Sequence, residues 1–267
     1  MTLKFSPAPL VYVALLMTPV YWLVVMSFKT NAEIGGQLTF YPHDFTFQNY
    51  AAIFGDRDWY MGYVNAVIYV MMNVIISVGV ALPAAYAFSR HDFFGQRALF
   101  FSLLMFRMLA PAILLAPFVQ IFSDLGMIDT HIAVAIAHCF FNVPLAIWIL
   151  EGFISSVPRE MDESARIDGY GFAGFMSRIL IPQIAPGIAV AAFFCFMFSW
   201  IEYMLANALT TIDAKPIAGI MTRAAGVLAG DVAMLSAASV LGLLPGIVLI
   251  IFVRKYLATG FSMGRVI

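Results

Sequence analysis

The sequence predicts an all-α integral membrane protein with six transmembrane helices and one short polar helix between the fourth and fifth. Three observations carry this. Of 267 residues, 63% are hydrophobic and only 11% charged, with a mean hydropathy of +0.93, whereas a soluble domain carries about 25% charged residues. Six apolar stretches reach the length of about 20 residues that a helix needs to cross about 30 Å of hydrocarbon. The one densely charged stretch, Pro158–Pro182 (PREMDESARIDGYGFAGFMSRILIP), lies between two of them. The whole chain, 1–267, therefore reads as a single membrane domain.

The first span, Pro9–Phe28, follows a single Lys4. It is too long for a secretory signal and no small-residue cleavage site follows it, so it is expected to remain as a span. The loop Lys29–Tyr60, with the turn residues Gly35, Gly36, Pro42 and Asp44, is long enough for a small external cap. The second span, Met61–Phe88, carries Ser77, Ala81 and Ala85 at four-residue spacing, which lets another helix approach closely. The third, Leu99–Phe122, is interrupted by Arg107, Pro111 and Pro117; breakers at membrane depth require neighbours to satisfy the freed backbone groups. A loop with Asp124, Gly126 and Asp129 leads to the fourth span, Ile132–Phe153, which contains His138, Asn142 and Pro144. The fifth, Ile184–Leu209, holds Trp200, Glu202 and Asn207 near its far end. A polar connection, Thr210–Leu235, precedes the sixth span, Ser236–Tyr256, where Ala238, Gly242 and Gly246 form a second small-residue stripe.

Lys and Arg accumulate on the cytoplasmic side of membrane proteins. With both termini inside, Lys4, Arg90, Arg97, Arg159, Arg166, Arg178, Arg254, Lys255 and Arg265 fall inside, against Lys29, Arg57, Lys215 and Arg223 outside; Arg107 lies within the membrane. This arrangement puts Pro158–Pro182 in the cytoplasm.

Composition and motifs exclude several functions. The net charge of −1 offers nothing to nucleic acid. There is no G-x-x-x-x-G-K-[ST] phosphate loop, no H-E-x-x-H and no G-x-S-x-G. His43, His91, His131 and His138 have no ligand spacing, and Cys139 and Cys195 sit in apolar runs without C-x-x-C spacing. The expected state of both cysteines is a buried, inert thiol, and no catalytic or metal site is expected. No internal repeat of the kind that marks many secondary transporters is visible.

Within the charged stretch, Arg159, Asp162, Glu163 and Arg166 stand at i, i+3, i+4 and i+7 and share one helical face, with Met161, Ser164 and Ala165 on another. Arg159 is expected to pair with Glu163, and Asp162 with Arg166, for about 0.3 kcal/mol each. Pro158 suits the start of such a helix and Gly169 the position just past its end. A solvated loop and a surface helix that docks in the groove of a soluble partner both satisfy this pattern. Arg107 and Glu202 are ionisable groups near membrane depth, where an unpaired charge costs about 3 kcal/mol. Each is either paired or interfacial, or part of a solute path that Asn142, Trp200, Asn207 and Gln120 could also line, although Asn serves equally as glue between helices.

The run Glu163-Ser164-Ala165-Arg166-Ile167-Asp168-Gly169-Tyr170, followed by Ile179-Leu180-Ile181-Pro182, resembles the EAA signature of permeases of binding-protein-dependent ABC importers. The family pattern is E-A-A-x-x-D-G-A, then I-x-L-P; Ser164, Tyr170 and Ile181 depart from it. Arg107-Met108-Leu109-Ala110-Pro111, Gly126-Met127-Ile128-Asp129-Thr130 and Phe198-Ser199-Trp200-Ile201-Glu202-Tyr203 are similar to segments of the carbohydrate branch, in particular MalG-like subunits. That branch usually reads W-N-E-F where this chain has Ile201 and Tyr203. Asp213-Ala214-Lys215-Pro216-Ile217 and the ending Gly260–Val266 add a likeness to glycerol and polyol permeases.

The resemblance implies the type I ABC importer permease fold and a multi-pass protein of a bacterial inner membrane. It implies assembly with a second permease subunit, a cytoplasmic ATPase pair that holds ATP and Mg, and a periplasmic solute-binding protein, all within membrane lipid. This chain would bind no cofactor and perform no hydrolysis. Arg159, Asp162, Glu163, Ser164, Ala165, Arg166, Asp168 and Gly169 would contact the ATPase as its coupling helix. The solute would be a small polyol or sugar, with glycerol first. An ATP-independent secondary transporter and an integral-membrane enzyme are the competing readings.

Overall fold

In the computed structural model, residues 8–36, 38–227 and 231–263 are described. Lys4 and Arg265, counted above for orientation, and the terminal Gly264–Val266 lie outside the described residues. Those described form helices and connections without a strand. In chain order the helices are α1 (Ala8–Ser27), α2 (Asn31–Ile34), α3 (Gln48–Gly55), α4 (Arg57–Arg90), α5 (Gln96–Arg107), α6 (Pro111–Asp124) and α7 (His131–Ser155). They continue with α8 (Glu160–Ile167), α9 (Phe172–Phe175), a π-helical turn Met176–Leu180, α10 (Ile181–Gln183), α11 (Ala185–Ile201), α12 (Met204–Leu209), α13 (Ile217–Val227) and α14 (Val232–Met263).

Four helices, α1, α4, α7 and α14, are long and apolar enough to cross a membrane unbroken, and two bent pairs raise the number to six if each pair is one span. Two expected spans are therefore corrected. The third is α5 and α6, bent by 93°. Pro111 starts α6 and disfavours helical geometry at the residue before it, and Ala110 is extended (φ −68°, ψ 131°). Pro117 lies inside α6 without ending it. In the fifth, Phe172–Gln183 bends by 82° into Ala185–Ile201. Pro182 and Pro186 stand four apart, so Pro186 cannot donate the bond that would continue the helix past Ile184. This span breaks again at Glu202–Tyr203 before α12. The sixth begins at Val232, four residues earlier than expected, and the second polar connection holds the unforeseen helix α13.

The chain clusters in two compact units. The first comprises Met1–Tyr63 and Ile217–Gly246. Its helix α1 exposes Leu10, Val13, Leu15 and Met17, as a lipid-facing helix must, having no polar side to turn to water. The expected external cap is a folded knot. Lys29 Nζ donates to both the carbonyl and the hydroxyl of Thr39 at 2.6 Å, Asn49 Nδ2 donates to the carbonyls of Ser27 and Lys29 at 2.9 Å, and Phe28 stacks on Phe45 at 4.7 Å. Gly62 lets α13 approach α4, since a Cβ there would lie 2.6 Å from Ile220 Cδ1 and 3.0 Å from Ile217 Cα.

The second unit, Val64–Pro216 and Ile247–Ile267, holds every candidate residue. Helix α7 packs against α5, α11 and α12. The stripe Ser77, Ala81, Ala85 is wholly buried, as close helix packing requires, and Ala81 and Ala85 join a core with Ile147, Leu150, Ile154, Leu180 and Ile184. Gly187 brings α11 onto α7: a Cβ there would stand 2.4–2.8 Å from Phe153 ring and Cβ atoms. Cys195 is buried, Cys139 half-buried, and both are free thiols.

Candidate functional site

The charged stretch forms a helix of about two turns. Helix α8 starts after Arg159 and ends at Ile167, and Gly169 adopts φ 80° just past it, a left-handed turn that glycine makes without strain. Its amphipathic face differs from the expected one. Asp162 and Ala165 are buried together, while Glu163, Ser164, Arg166, Asp168 and Gly169 are exposed, as is Arg159 just before the helix. The expected pairs Arg159–Glu163 and Asp162–Arg166 do not form among the described residues. Tyr86 OH donates to Asp162 Oδ1 at 2.8 Å, and Arg90 Nε faces Asp162 Oδ2 at 3.1 Å. That contact misses a hydrogen-bonding angle and acts as an ion pair. Arg90 Nη2 donates to the Val157 carbonyl at 2.9 Å, and Arg159 Nη2 to the Ser89 carbonyl at 3.3 Å. A buried pair gains more from Coulomb attraction than a solvated i,i+4 pair, so Asp162 turns inward. Asp162 thus fastens α8 to the end of α4, Arg166 also interacts with the Tyr86 hydroxyl, and Glu163 and Ile167 (87% exposed) lie on the outer face.

A second constellation lies in the interior of the same unit. Asn142 Nδ2 reaches Asn73 Oδ1 (2.6 Å), Ser199 Oγ (3.0 Å) and the Cys195 carbonyl (3.1 Å). Ser199 Oγ donates to Asn73 Oδ1 at 2.9 Å, and Asn73 Nδ2 to the Ala135 carbonyl at 2.9 Å. These side chains tie α4, α7 and α11 together where apolar packing alone would leave their register free. One turn along α7, His138 is wholly buried, with Nε2 3.0 Å from Glu202 Oε2. A carboxylate only accepts, which fixes the proton on Nε2 and leaves Nδ1 without a hydrogen-bond partner. Glu202 also accepts from the amides of Met204 (2.8 Å), Leu205 (3.1 Å) and Ala206 (3.3 Å). It caps α12 across the break, supplying the acceptors that the interrupted helix lacks.

The remaining path candidates sit around this core. Arg107 ends α5 half-exposed, its guanidinium carbon 4.7 Å from the centroid of Phe198 and its Nη1 donating to the Phe141 carbonyl at 3.2 Å. Trp200 is half-buried and stacks on Phe196 at 5.8 Å. The Asn207 carbonyl accepts from Lys215 Nζ at 3.3 Å. Asn142 and Glu202 are buried and internally bonded, whereas Arg107, Trp200 and Asn207 retain accessible surface.

Asp129 was visible in the sequence only as a loop residue of the Gly126–Thr130 segment, and its role as a clasp was not foreseen. Its backbone is left-handed (φ 65°), and its carboxylate accepts from Thr211 N, Thr211 Oγ1, Ile212 N, Asp213 N and Ala214 N at 2.6–3.1 Å. Burial works against the charge, but the bonds from Thr211, Asp213 and Ile212 outweigh it and hold the carboxyl well below the usual carboxylate range. Asn65 supports the same loop, donating to the carbonyls of Asp213 and Lys215 at 3.0 and 3.1 Å. The signal was the pair of family-like segments Gly126–Thr130 and Asp213–Ile217, whose contact with each other the sequence does not show. For Asn73, His138 and Ser199 it was polarity inside otherwise apolar helices, and for Tyr86 and Arg90 there was none.

The described helices thus define a multi-span α-helical membrane protein with an anchored polar helix between two of its spans. Residues 76–262 match the family described as binding-protein-dependent transport system inner membrane component, and the chain belongs to this family. It is therefore a multi-pass inner-membrane component of an ABC transport system and not an enzyme. The sequence is 28% identical to the sulfoquinovosyl glycerol transport system permease SmoH of Agrobacterium fabrum, over 97% of this chain and 94% of that one. It is 27% identical to the trehalose transport system permease SugB of Mycobacterium tuberculosis, over 93% and 91%. The fold is similar to a chain of a bacterial ABC transporter that imports the acidic polysaccharide alginate, with a TM-score of 0.77 at 23% identity, covering 96% of this chain and 99% of that one.

Proposed function

We propose that this chain is one permease half of an ATP-driven importer for a small polyhydroxylated solute, a sugar or a polyol, with glycerol the smallest candidate. The observation that supports this most is the outward face of α8, where Glu163, Arg166 and Ile167 stand exposed on a helix fastened from behind by Asp162. A rigid helix with an exposed, mixed-charge face suits the groove of a soluble ATPase subunit. In this reading both termini and α8 are cytoplasmic, a second permease subunit completes the path, and a periplasmic binding protein delivers the solute. The ATP and Mg belong to the ATPase pair. Arg107, Trp200 and Asn207 face the solute, while Asn142 and Glu202 hold the helices that carry them. The substrate class draws on the relatives, whose names give sugars and a sugar-linked glycerol.

The test is solute-stimulated ATP hydrolysis and uptake by the complex reconstituted in vesicles with its binding protein, across glycerol, longer polyols, hexoses and disaccharides. Stimulation by at least one member is expected, and Gly169→Leu or Glu163→Lys should abolish it without loss of membrane insertion. Uptake that persists without ATP and follows an ion gradient would refute the ATP-driven reading.

A further inference from the structure

We infer that Arg107 is a specificity residue for solutes that carry an anionic group, so that the importer prefers an acidic sugar or polyol (carboxylate, sulfonate or phosphate) over its neutral counterpart. This deepens the proposed reading and rests on Arg107 facing the solute. No carboxylate stands within 4 Å of the guanidinium among the described residues, where the ion pairs are Lys29–Glu33, Arg90–Asp162 and His138–Glu202. Glu202, the acidic residue of the neighbouring break, is occupied by His138 Nε2 and by three α12 amides. The Phe198 ring touches Arg107 on one side and the His138 ring on another, so an aromatic ring and an imidazole intervene between the cation and that carboxylate.

Arg107 therefore brings an unneutralised positive charge into the membrane-spanning part of a half-exposed site. Its surroundings fix the geometry. One face of the guanidinium lies over Phe198 and Nη1 is held by the Phe141 carbonyl. A planar donor fork anchored in this way is suited to two-point recognition of carboxylate, sulfonate or phosphate. A neutral hydroxyl would gain much less from it, because only an anion also offsets the uncompensated charge. The same argument explains why arginine fits here better than lysine, which could not combine the ring contact with a forked anion contact.

The experiment uses the full reconstituted complex with saturating binding protein and two matched pairs, glucuronate against glucose and glycerate against glycerol. Acidic-to-neutral uptake ratios are measured for the native chain, Arg107→Lys and Arg107→Gln, with assembly checked by size-exclusion chromatography. The native chain should favour the acidic member of at least one pair at least about tenfold. Arg107→Gln should cut that ratio about tenfold or more, and Arg107→Lys, which keeps the charge but loses the fork, should cut it by about threefold or more. A native chain that takes up the neutral members equally well or better would overturn the inference while leaving the importer reading intact, because Arg107 would then be neutralised by another subunit. An unchanged ratio in Arg107→Gln would overturn it too. If Arg107→Gln fails to assemble, the native ratios and those of Arg107→Lys still decide the matter. ATP-independent uptake of both members would instead refute the broader proposal.

Discussion

Replacing Asp129 by Asn isolates the clasp between the loop that precedes α7 and the loop that follows α12. Asparagine tolerates the left-handed backbone at this position, so the substitution leaves the turn intact and removes only acceptor capacity. Asp129 Oδ2 takes Thr211 Oγ1, Ile212 N and Asp213 N, whereas Oδ1 takes Thr211 N and Ala214 N. The best orientation of the new amide keeps the first set and turns its NH2 toward two backbone donors. Two bonds at about 1 kcal/mol each, reduced because the loop can rehydrate, give a loss of about 1–2 kcal/mol. Opening of the loop should therefore become about 5–30 times more frequent. Hydrogen–deuterium exchange of amides 211–214 in the purified complex reads this directly. The folded carboxyl titrates well below its unfolded value, so its contribution is complete above about pH 5 and fades only as pH falls through the folded value. The difference between the native chain and Asp129→Asn, corrected for intrinsic exchange, should be constant from pH 5 to 8. Equal exchange in the two proteins, or a change as large in the core of α7 as in the loop, would refute the reasoning.

Gly187→Ala should destabilise the chain by about 1–3 kcal/mol, because the new methyl meets the Phe153 ring inside 3 Å; thermal unfolding in detergent measures it, and adding Phe153→Leu should restore part of the loss. Asp162→Asn leaves Arg90 buried without its counter-charge and should cost about 3 kcal/mol of local stability. Solute-stimulated ATP hydrolysis should fall at least about tenfold while the protein still inserts, and unchanged coupling would show that α8 does not depend on this anchor. His138→Ala and Glu202→Gln should each lower thermal stability, and the double substitution should cost less than the sum by more than about 0.5 kcal/mol; strict additivity would deny that the two act as one cap.

The sequence announced what depends on local order. Composition set the membrane class, and Gly169 and the charge run located α8 almost to the residue. Pro111 and the pair Pro182 and Pro186 carried the information that two spans bend, although counting apolar length merges each broken pair into one run. What stayed hidden depends on residues far apart in the chain. Asp162 was assigned to Arg166 because a helical projection sees only neighbours four residues away, and its real partners, Tyr86 and Arg90, are more than 70 residues distant. His138 looked like a scattered histidine because Glu202 is 64 residues further on. The clasp at Asp129 needs both a left-handed backbone and a run of converging amides, and neither can be read from residue identity.

The two interrupted spans also show how a membrane chain disposes of a broken helix. Backbone groups freed at membrane depth need partners. At the break after α11, Glu202 supplies acceptors to three amides of α12 and is itself held by His138, so charge and hydrogen bonds close within the chain. At the break after α5 no such closure is seen among the described residues. The position before α6 is Ala110, which offers no side-chain cap, and the charged residue there is a cation whose only described hydrogen bond goes to a backbone carbonyl. One break is a finished joint, and at the other the guanidinium has no carboxylate within 4 Å among the described residues. A solute that makes ionic contact with this half of the path should therefore do so at Arg107 and not at Glu202. It follows that Glu202→Gln should change stability far more than solute preference, and Arg107→Gln the reverse.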